Sequence, residues 1–163
     1  MKKLLLTIIV FLLLISPCFG AGATTTATVA KIMDNGRNVV GEKVTILITA
    51  DGSGGAVTSL TISSTTNPSI YDRIYGKKLG EVVAYPTAGG TAPDAADVTV
   101  KRNLLDLLGG NGVNLIHATS TLSTYPMIDG YPAKPRIYQA IVIAVANHTT
   151  NSAHITIELI FDN

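Results

Sequence analysis

The three histidines are the side chains of this sequence that are best suited to metal binding or proton transfer. They are His117, His148 and His154. The last two flank the final loop and could approach each other across a hairpin. A zinc-type site needs further ligands, usually another histidine, a cysteine or a carboxylate at suitable spacing, and the sequence shows none. We therefore expect solvated loop or strand-face histidines, with no bound metal or cofactor.

Other arrangements that support catalysis are incomplete. The segment 34–38 begins like a calcium loop but lacks the acidic ladder and the closing glutamate of an EF-hand, so its Asn-Gly pair predicts a turn. The glycine-rich segment 109–112 is not followed by the Lys-Ser/Thr of a P-loop. No G-x-S-x-G elbow occurs. A carboxylate pair for glycoside hydrolysis stays open, because folding sets the distance between two carboxylates. Since glutamate occurs only at positions 42, 81 and 158, we predict that the protein is not an enzyme.

Six tyrosines lie mostly in or beside predicted loops. Tyrosine brings a large contact area at a small entropic cost, which suits a binding surface. We interpret four of them as a candidate surface for a glycan or another cell-surface ligand: Tyr71, Tyr75, Tyr125 and Tyr131. Tryptophan, the preferred platform for sugar stacking, is absent. The same tyrosines could equally cap the ends of a β-sandwich.

The start of the chain has the three parts of a secretory signal peptide. A basic Met1-Lys2-Lys3 is followed by an apolar run over 4–15, a break, and then small residues. The apolar run is shorter than the roughly 20 residues that span a bilayer. We predict a signal peptide over 1–23 and an exported bacterial protein, periplasmic or extracellular, with no membrane span after cleavage. An uncleaved anchor and lipidation of Cys18 are the alternatives, and Pro17 disfavours the second.

The charge balance limits the kinds of partner. The chain has 12 Lys+Arg and 11 Asp+Glu, and charged residues make up 14% of it. It therefore has neither the basic footprint of a nucleic-acid-binding protein nor a polybasic membrane patch. Hydrophobic residues at 47% exclude general disorder. Protein partners, including further copies of the chain, remain.

Alternation of apolar and polar residues predicts strands along the rest of the chain. In the last run, 153–161, Ile155, Ile157, Leu159 and Phe161 share one face. The runs 43–49 and 56–63 flank a glycine-rich turn and predict a β-hairpin. The other predicted strands are 78–85, 97–101, the weaker 116–124, and 137–146, which is apolar on both faces and so central.

This pattern predicts one all-β domain over 24–163. Seven or eight short strands separated by Gly, Pro, Asn and Asp are typical of a single antiparallel β-sandwich, immunoglobulin-like or jelly-roll-like. One short helical turn is predicted at 103–108, with Asn103 as N-cap and Gly109-Gly110 as the stop.

The first segment of this domain is a candidate assembly strand. It is interpreted either as an edge strand or as an ordered arm, and either form could add to the sheet edge of a neighbour. The residues concerned are Thr25, Thr26, Thr28, Val29 and Ile32.

The order of motifs from about residue 75 to the end resembles small β-sandwich proteins encoded among the structural genes of tailed phages and prophages. The segment PTAGGTAP at 86–93 precedes DVTVK at 97–101, then DLLGGNGVNL at 106–115 and PMIDG at 126–130. The resemblance implies a non-enzymatic virion or assembly component. Together with the leader, it leads us to expect an exported structural or interaction protein that assembles with itself or with a larger surface structure.

Overall fold

The computed structural model describes residues 22–34, 36 and 38–163, so the predicted signal peptide over 1–23 lies almost wholly outside the described residues. The regular secondary structure of this part comprises strands and one short helix, α1 (Pro68–Ile74), joined by turns and loops. The strands are β1 (Thr24–Asp34), β2 (Asn38–Thr49), β3 (Leu60–Ile62), β4 (Lys78–Pro86), β5 (Asp97–Arg102), β6 (Leu105–Asp106), β7 (Leu122–Thr124), β8 (Met127–Ile128), β9 (Tyr131–Pro132), β10 (Ile141–Ala146) and β11 (His154–Asp162). Six of them have six residues or more, and the other five have two or three.

Two sheets make up the body of the fold, which confirms the predicted all-β sandwich. One sheet has five strands in the order β1-β2-β11-β4-β7, and the other has four in the order β3-β10-β5-β6. The short strands β8 and β9 form a separate hairpin. All pairings between these strands are antiparallel. The long edge of the larger sheet is β1, and the other sheet edges are the much shorter β7, β3 and β6.

One continuous cluster of apolar side chains fills the space between the sheets. The strand β11 lies in the middle of the larger sheet, and its residues Ile155, Ile157, Leu159 and Phe161 are fully buried, as predicted. The strand β10 is likewise internal to the smaller sheet, so the predicted central strand over 137–146 is confirmed for Ile141–Ala146, whereas 137–140 is not a strand. Burial of these branched and aromatic side chains is the main stabilising contribution to the sandwich.

A β-bulge interrupts the pairing of β4 with β11. Ile160 pairs with Glu81, but the next residue, Phe161, pairs with Leu79, so Gly80 is the extra residue on β4. An extra residue reverses the alternation of faces. This is why Leu79 and Val82 are both buried although they are three positions apart.

The predicted hairpin between 43–49 and 56–63 is wrong. The first run belongs to β2, which pairs with β1 and β11. Only Leu60–Ile62 of the second run is a strand, and it pairs with β10 in the other sheet. The turn between the two runs therefore crosses from one sheet to the other. Alternation identifies a half-buried strand but does not identify its partner. Similarly, only Leu122–Thr124 of the predicted strand over 116–124 forms β7.

The predicted helical turn at 103–108 is also wrong. Asn103 has a φ of 53°, in the left-handed region, and so makes a turn rather than an N-cap. The next residues, Leu105–Asp106, pair with the end of β5. The glycine stop does lie in a loop: Gly109 and Gly110 both have positive φ, a conformation that glycine adopts at little cost.

The helix forms instead at Pro68–Ile74. Proline occupies the first turn, where its fixed φ suits a helix start, and Asn67 precedes it. Ile70 and Ile74, four residues apart, form the buried face. Within the described residues, no helix has the length and apolar character needed to cross a membrane.

Candidate assembly edge and tyrosine surfaces

The candidate assembly strand is the edge of the larger sheet. Strand β1 pairs with β2 along its whole length, and the last pair, Asp34 with Asn38, closes a hairpin. Of the two interpretations made from the sequence, an edge strand or an arm, the structure shows the edge strand. The N-terminal segment is thus held by a full antiparallel ladder.

The side chains of β1 alternate between the two faces of the sheet. Ala27 and Val29 are half-buried and pack against the core, whereas Thr26 and Thr28 are exposed on the outer face. Thr25 also faces inward, where its Oγ1 donates a hydrogen bond to the carbonyl oxygen of Thr58 at 3.0 Å. Ile32, the last of the predicted residues, is half-buried.

The backbone of β1 presents every second residue to the open side of the sheet. The Ala50 N–H donates to the carbonyl oxygen of Ala153 at 2.9 Å, so the even-numbered residues of β2 bond to β11. The odd-numbered residues of β2 therefore bond to β1, because the two sides of a strand alternate in an antiparallel ladder. In the register of the two strands, this leaves the odd-numbered residues 25–31 of β1 directing their N–H and C=O groups outward.

One outward carbonyl already has a partner from α1. The Arg73 guanidinium donates from Nη1 to the carbonyl oxygen of Val29 at 2.9 Å. Its Nη2 forms an ion pair with Glu42, a carboxylate of β2 that is only 5% exposed. The same side chain therefore neutralises a buried charge and bonds the helix to the edge strand.

Two of the predicted tyrosines lie at α1, beside a third tyrosine that sequence reasoning missed. The ring of Tyr75 lies 5.6 Å from that of Tyr71 and 5.6 Å from that of Tyr138, in tilted and edge-to-face arrangements. The Tyr71 hydroxyl donates to the carbonyl oxygen of Tyr138 at 3.2 Å. Tyr138 is distant in sequence, so no spacing pattern could have assigned it to this group.

The other two predicted tyrosines lie around the β8–β9 hairpin. Tyr125 is 60% exposed and Tyr131 is 75% exposed. Tyr125 borders a cavity of about 250 Å³ that is also lined by Gly80, Pro132, Ala133 and Lys134. Among the described residues no ring contact connects this pair with the group at α1. The predicted ligand surface is thus divided into two parts.

The histidines do not form a metal site within the described residues, where no group of three or more metal-ligating side chains occurs. The expectation of solvated histidines is wrong for His148, which is buried. Its Nδ1 lies 2.7 Å from the carbonyl oxygen of Gly55 and must donate, because a carbonyl only accepts. Its Nε2 lies 3.2 Å from Oδ1 of Asp94. His117 is exposed, and His154 is half-buried at the start of β11.

Asp94 holds together two loops at the end of the sandwich opposite α1. Burial raises its pKa, but the hydrogen bonds from Thr149 and the electrostatic effect of the nearby His148 outweigh burial, so the net pKa lies below the usual value. Thr149 donates from both its backbone N–H, at 3.1 Å, and its Oγ1, at 2.5 Å. The carboxylate form is therefore the one that the fold stabilises.

We expect Asp94→Asn to lower the free energy of unfolding at neutral pH by about 1 kcal/mol, since it weakens charge-assisted hydrogen bonds. A lowered pKa stabilises the fold above the unfolded-state value near 4, and this contribution disappears as the pH falls through the folded-state pKa. Urea unfolding at several pH values should show the difference between wild type and variant shrinking in acid. Asp72→Asn, on the exposed surface of α1, is the control. A difference that grows in acid would contradict the prediction.

Comparison with known proteins gives no relative. No protein-family model, no curated protein and no solved structure matches this chain.

Proposed function

We propose that this protein is an exported, non-enzymatic structural protein whose β-sandwich assembles with itself, or with a larger surface structure, through the open side of β1. Export rests on the predicted leader, and the assembly role agrees with the resemblance to phage structural sandwiches. The observation that carries the proposal is the outward row of backbone groups on the odd-numbered residues 25–31. Arg73 bonds to the Val29 carbonyl oxygen of this row, and the other outward groups can pair readily with a strand of another chain.

Over residues 24–30, strand β1 lacks the proline, charge and bulge that often protect an edge strand. Edges are commonly blocked by proline, by several charges or by a bulge. Strand β1 contains no proline. The register shift of β1 lies between Ile32 and Met33, close to the Asp34–Asn38 pair that closes the hairpin with β2. Lys31 is the only charged residue of β1 before that shift. The stretch 24–30 is therefore a regular, uncharged edge.

The contact from Arg73 does not close this edge. Its guanidinium uses one lone pair of the Val29 carbonyl oxygen, and a carbonyl oxygen has two. The outward groups of Thr25 and Ala27 lie further along the strand, beyond this contact. An added strand could therefore pair with this half of β1 while α1 stays in place.

We expect Ala27→Pro to abolish self-association of the mature protein with only a minor loss of stability. Proline removes the outward N–H of residue 27 and leaves the hydrogen bonds to β2 intact, which is why proline is tolerated at sheet edges. Light scattering behind a sizing column, at several concentrations, should give a mass above one chain for wild type. The variant should stay at one chain.

Thr28→Pro is the matched control for this experiment. Residue 28 directs its N–H toward β2, so proline there removes a ladder bond and should destabilise the fold clearly more than Ala27→Pro does. A wild-type protein that is monomeric at every concentration would reject assembly with itself. An Ala27→Pro protein that associates like wild type would reject β1 as the surface.

A further inference from the structure

A small cavity lies against the bulge of β4, outside the assembly edge. Its volume is about 250 Å³, and its walls come from Gly80, Tyr125, Pro132, Ala133 and Lys134. Cavities that hold drug-sized ligands usually measure about 300–1,000 Å³. This one has room for a single small ring.

The bulge shapes the floor of the cavity. Gly80 is the extra residue of β4, and a Cβ atom built on it would lie 3.1 Å from Oδ2 of Asp162. Any larger residue would therefore press on this carboxylate. The segment that follows Lys134 is tied to β4 by a backbone hydrogen bond from Leu79 N–H to the carbonyl oxygen of Pro135, at 3.0 Å. Bulges often occur beside functional sites, where they redirect side chains.

The cavity has apolar lining residues and one charged lining residue, Lys134. Tyr125, Pro132 and Ala133 provide the apolar side. Lys134 Nζ lies 2.6 Å from Oδ2 of Asp162, a neighbour of Gly80 that does not itself line the cavity. The ammonium group can only donate hydrogen bonds and the carboxylate can only accept them. Donor and acceptor thus stand side by side next to an aromatic surface.

We propose that this cavity binds one sugar ring of a glycan. A pyranose has an apolar C–H face that fits against a tyrosine ring, and neighbouring hydroxyl groups that can donate to Asp162 while they accept from Lys134. Asp162 disfavours an anion and Lys134 disfavours a cation, so the pair favours a neutral polar ligand. A purely aromatic ligand would leave both charged groups without new partners. This binding function is separate from self-assembly.

The test is a titration of the isotope-labelled mature protein with three simple sugars: methyl α-D-mannoside, methyl β-D-galactoside and N-acetyl-D-glucosamine. We expect at least one of them to shift the backbone amide signals of Gly80 and Ala133 saturably, with a dissociation constant in the millimolar range that suits so small a ligand. Tyr125→Ala should weaken this binding about tenfold, because it removes the stacking surface.

Tyr131→Ala is the matched control. Tyr131 is an exposed tyrosine on β9, next to the lining residue Pro132, but it does not itself line the cavity. It should bind the sugar like wild type. Gly80→Ala should weaken binding by displacing Asp162, as a second and independent variant. The proposal fails if none of the three sugars saturates, if Tyr125→Ala binds like wild type, or if phenol shifts the same signals at lower concentration. The same titration on the Ala27→Pro variant should give the same dissociation constant as wild type, because residue 27 does not line the cavity. Sugar binding and self-assembly are thereby tested separately.

Discussion

Replacing Phe161 by alanine lowers the free energy of unfolding by about 3–5 kcal/mol, the range for deleting a large aromatic side chain from a packed core. Phe161 is the largest of the fully buried side chains. It lies near the end of β11, between β2 and β4, where neighbouring strands restrict collapse into the space that alanine would leave. Urea unfolding of the monomeric protein, followed by circular dichroism, measures the loss.

Ile160→Ala is the matched control for this loss. Ile160 is the preceding residue of the same strand, faces the other side of the sheet and is half-buried. The Ile160→Ala variant should lower the free energy of unfolding by about 1 kcal/mol, because the half-buried Ile160 side chain contributes less buried apolar surface than Phe161 does. Equal losses from the two variants would contradict the assignment of the inner and outer faces of β11.

Replacing Arg73 by methionine is expected to cost about 3 kcal/mol of stability. The change leaves the Glu42 carboxylate buried without its ion-pair partner, and an isolated buried charge is strongly destabilising. It also removes the hydrogen bond to the carbonyl oxygen of Val29. Thermal and urea unfolding of the variant, compared with wild type, provide the measurement.

The double variant Arg73→Met with Glu42→Met separates the charge effect from packing. When both charges are replaced by apolar side chains of similar volume, stability often returns to near the original level or exceeds it. We therefore expect the double variant to recover most of the loss. If it is as unstable as Arg73→Met alone, the loss comes from weakened packing of α1, and the account of the ion pair is wrong.

Local alternation predicts much of this fold, because it reflects which face of a strand is buried. It placed the inward side chains of β11 correctly, and it identified β4, β5 and β10 within a few residues of their observed bounds. Strand pairing is set by long-range contacts instead. Strand β2 pairs with β11 at the far end of the chain, so the apparent hairpin partner next to it in sequence was misleading. The short helix was missed although Asn67, Pro68 and the Ile70–Ile74 spacing signalled it.

The candidate sites were predictable only in part. The sequence leaves the first segment of the domain open between an edge strand and an arm, and the structure shows the edge strand. Tyr125 was selected for its residue type alone. Its neighbours at the cavity, Gly80 and Lys134, come from segments far apart in sequence, and the bulge that positions Gly80 depends on the register with β11. The burial of His148 likewise results from loops that meet only in the folded protein.

The unequal lengths of the sheet edges decide how many copies a β1 contact can join. The strand β1 has eleven residues, whereas β7 and β3 have three each and β6 has two. Among the described residues, the one edge strand as long as β1 is β1 of a second molecule, so the contact would be isologous, with a two-fold axis across it. Such a pair leaves no long edge of the described sheets available. Sheet extension would therefore end at a closed dimer whose size does not grow with concentration, and any larger array would need a different surface of the sandwich.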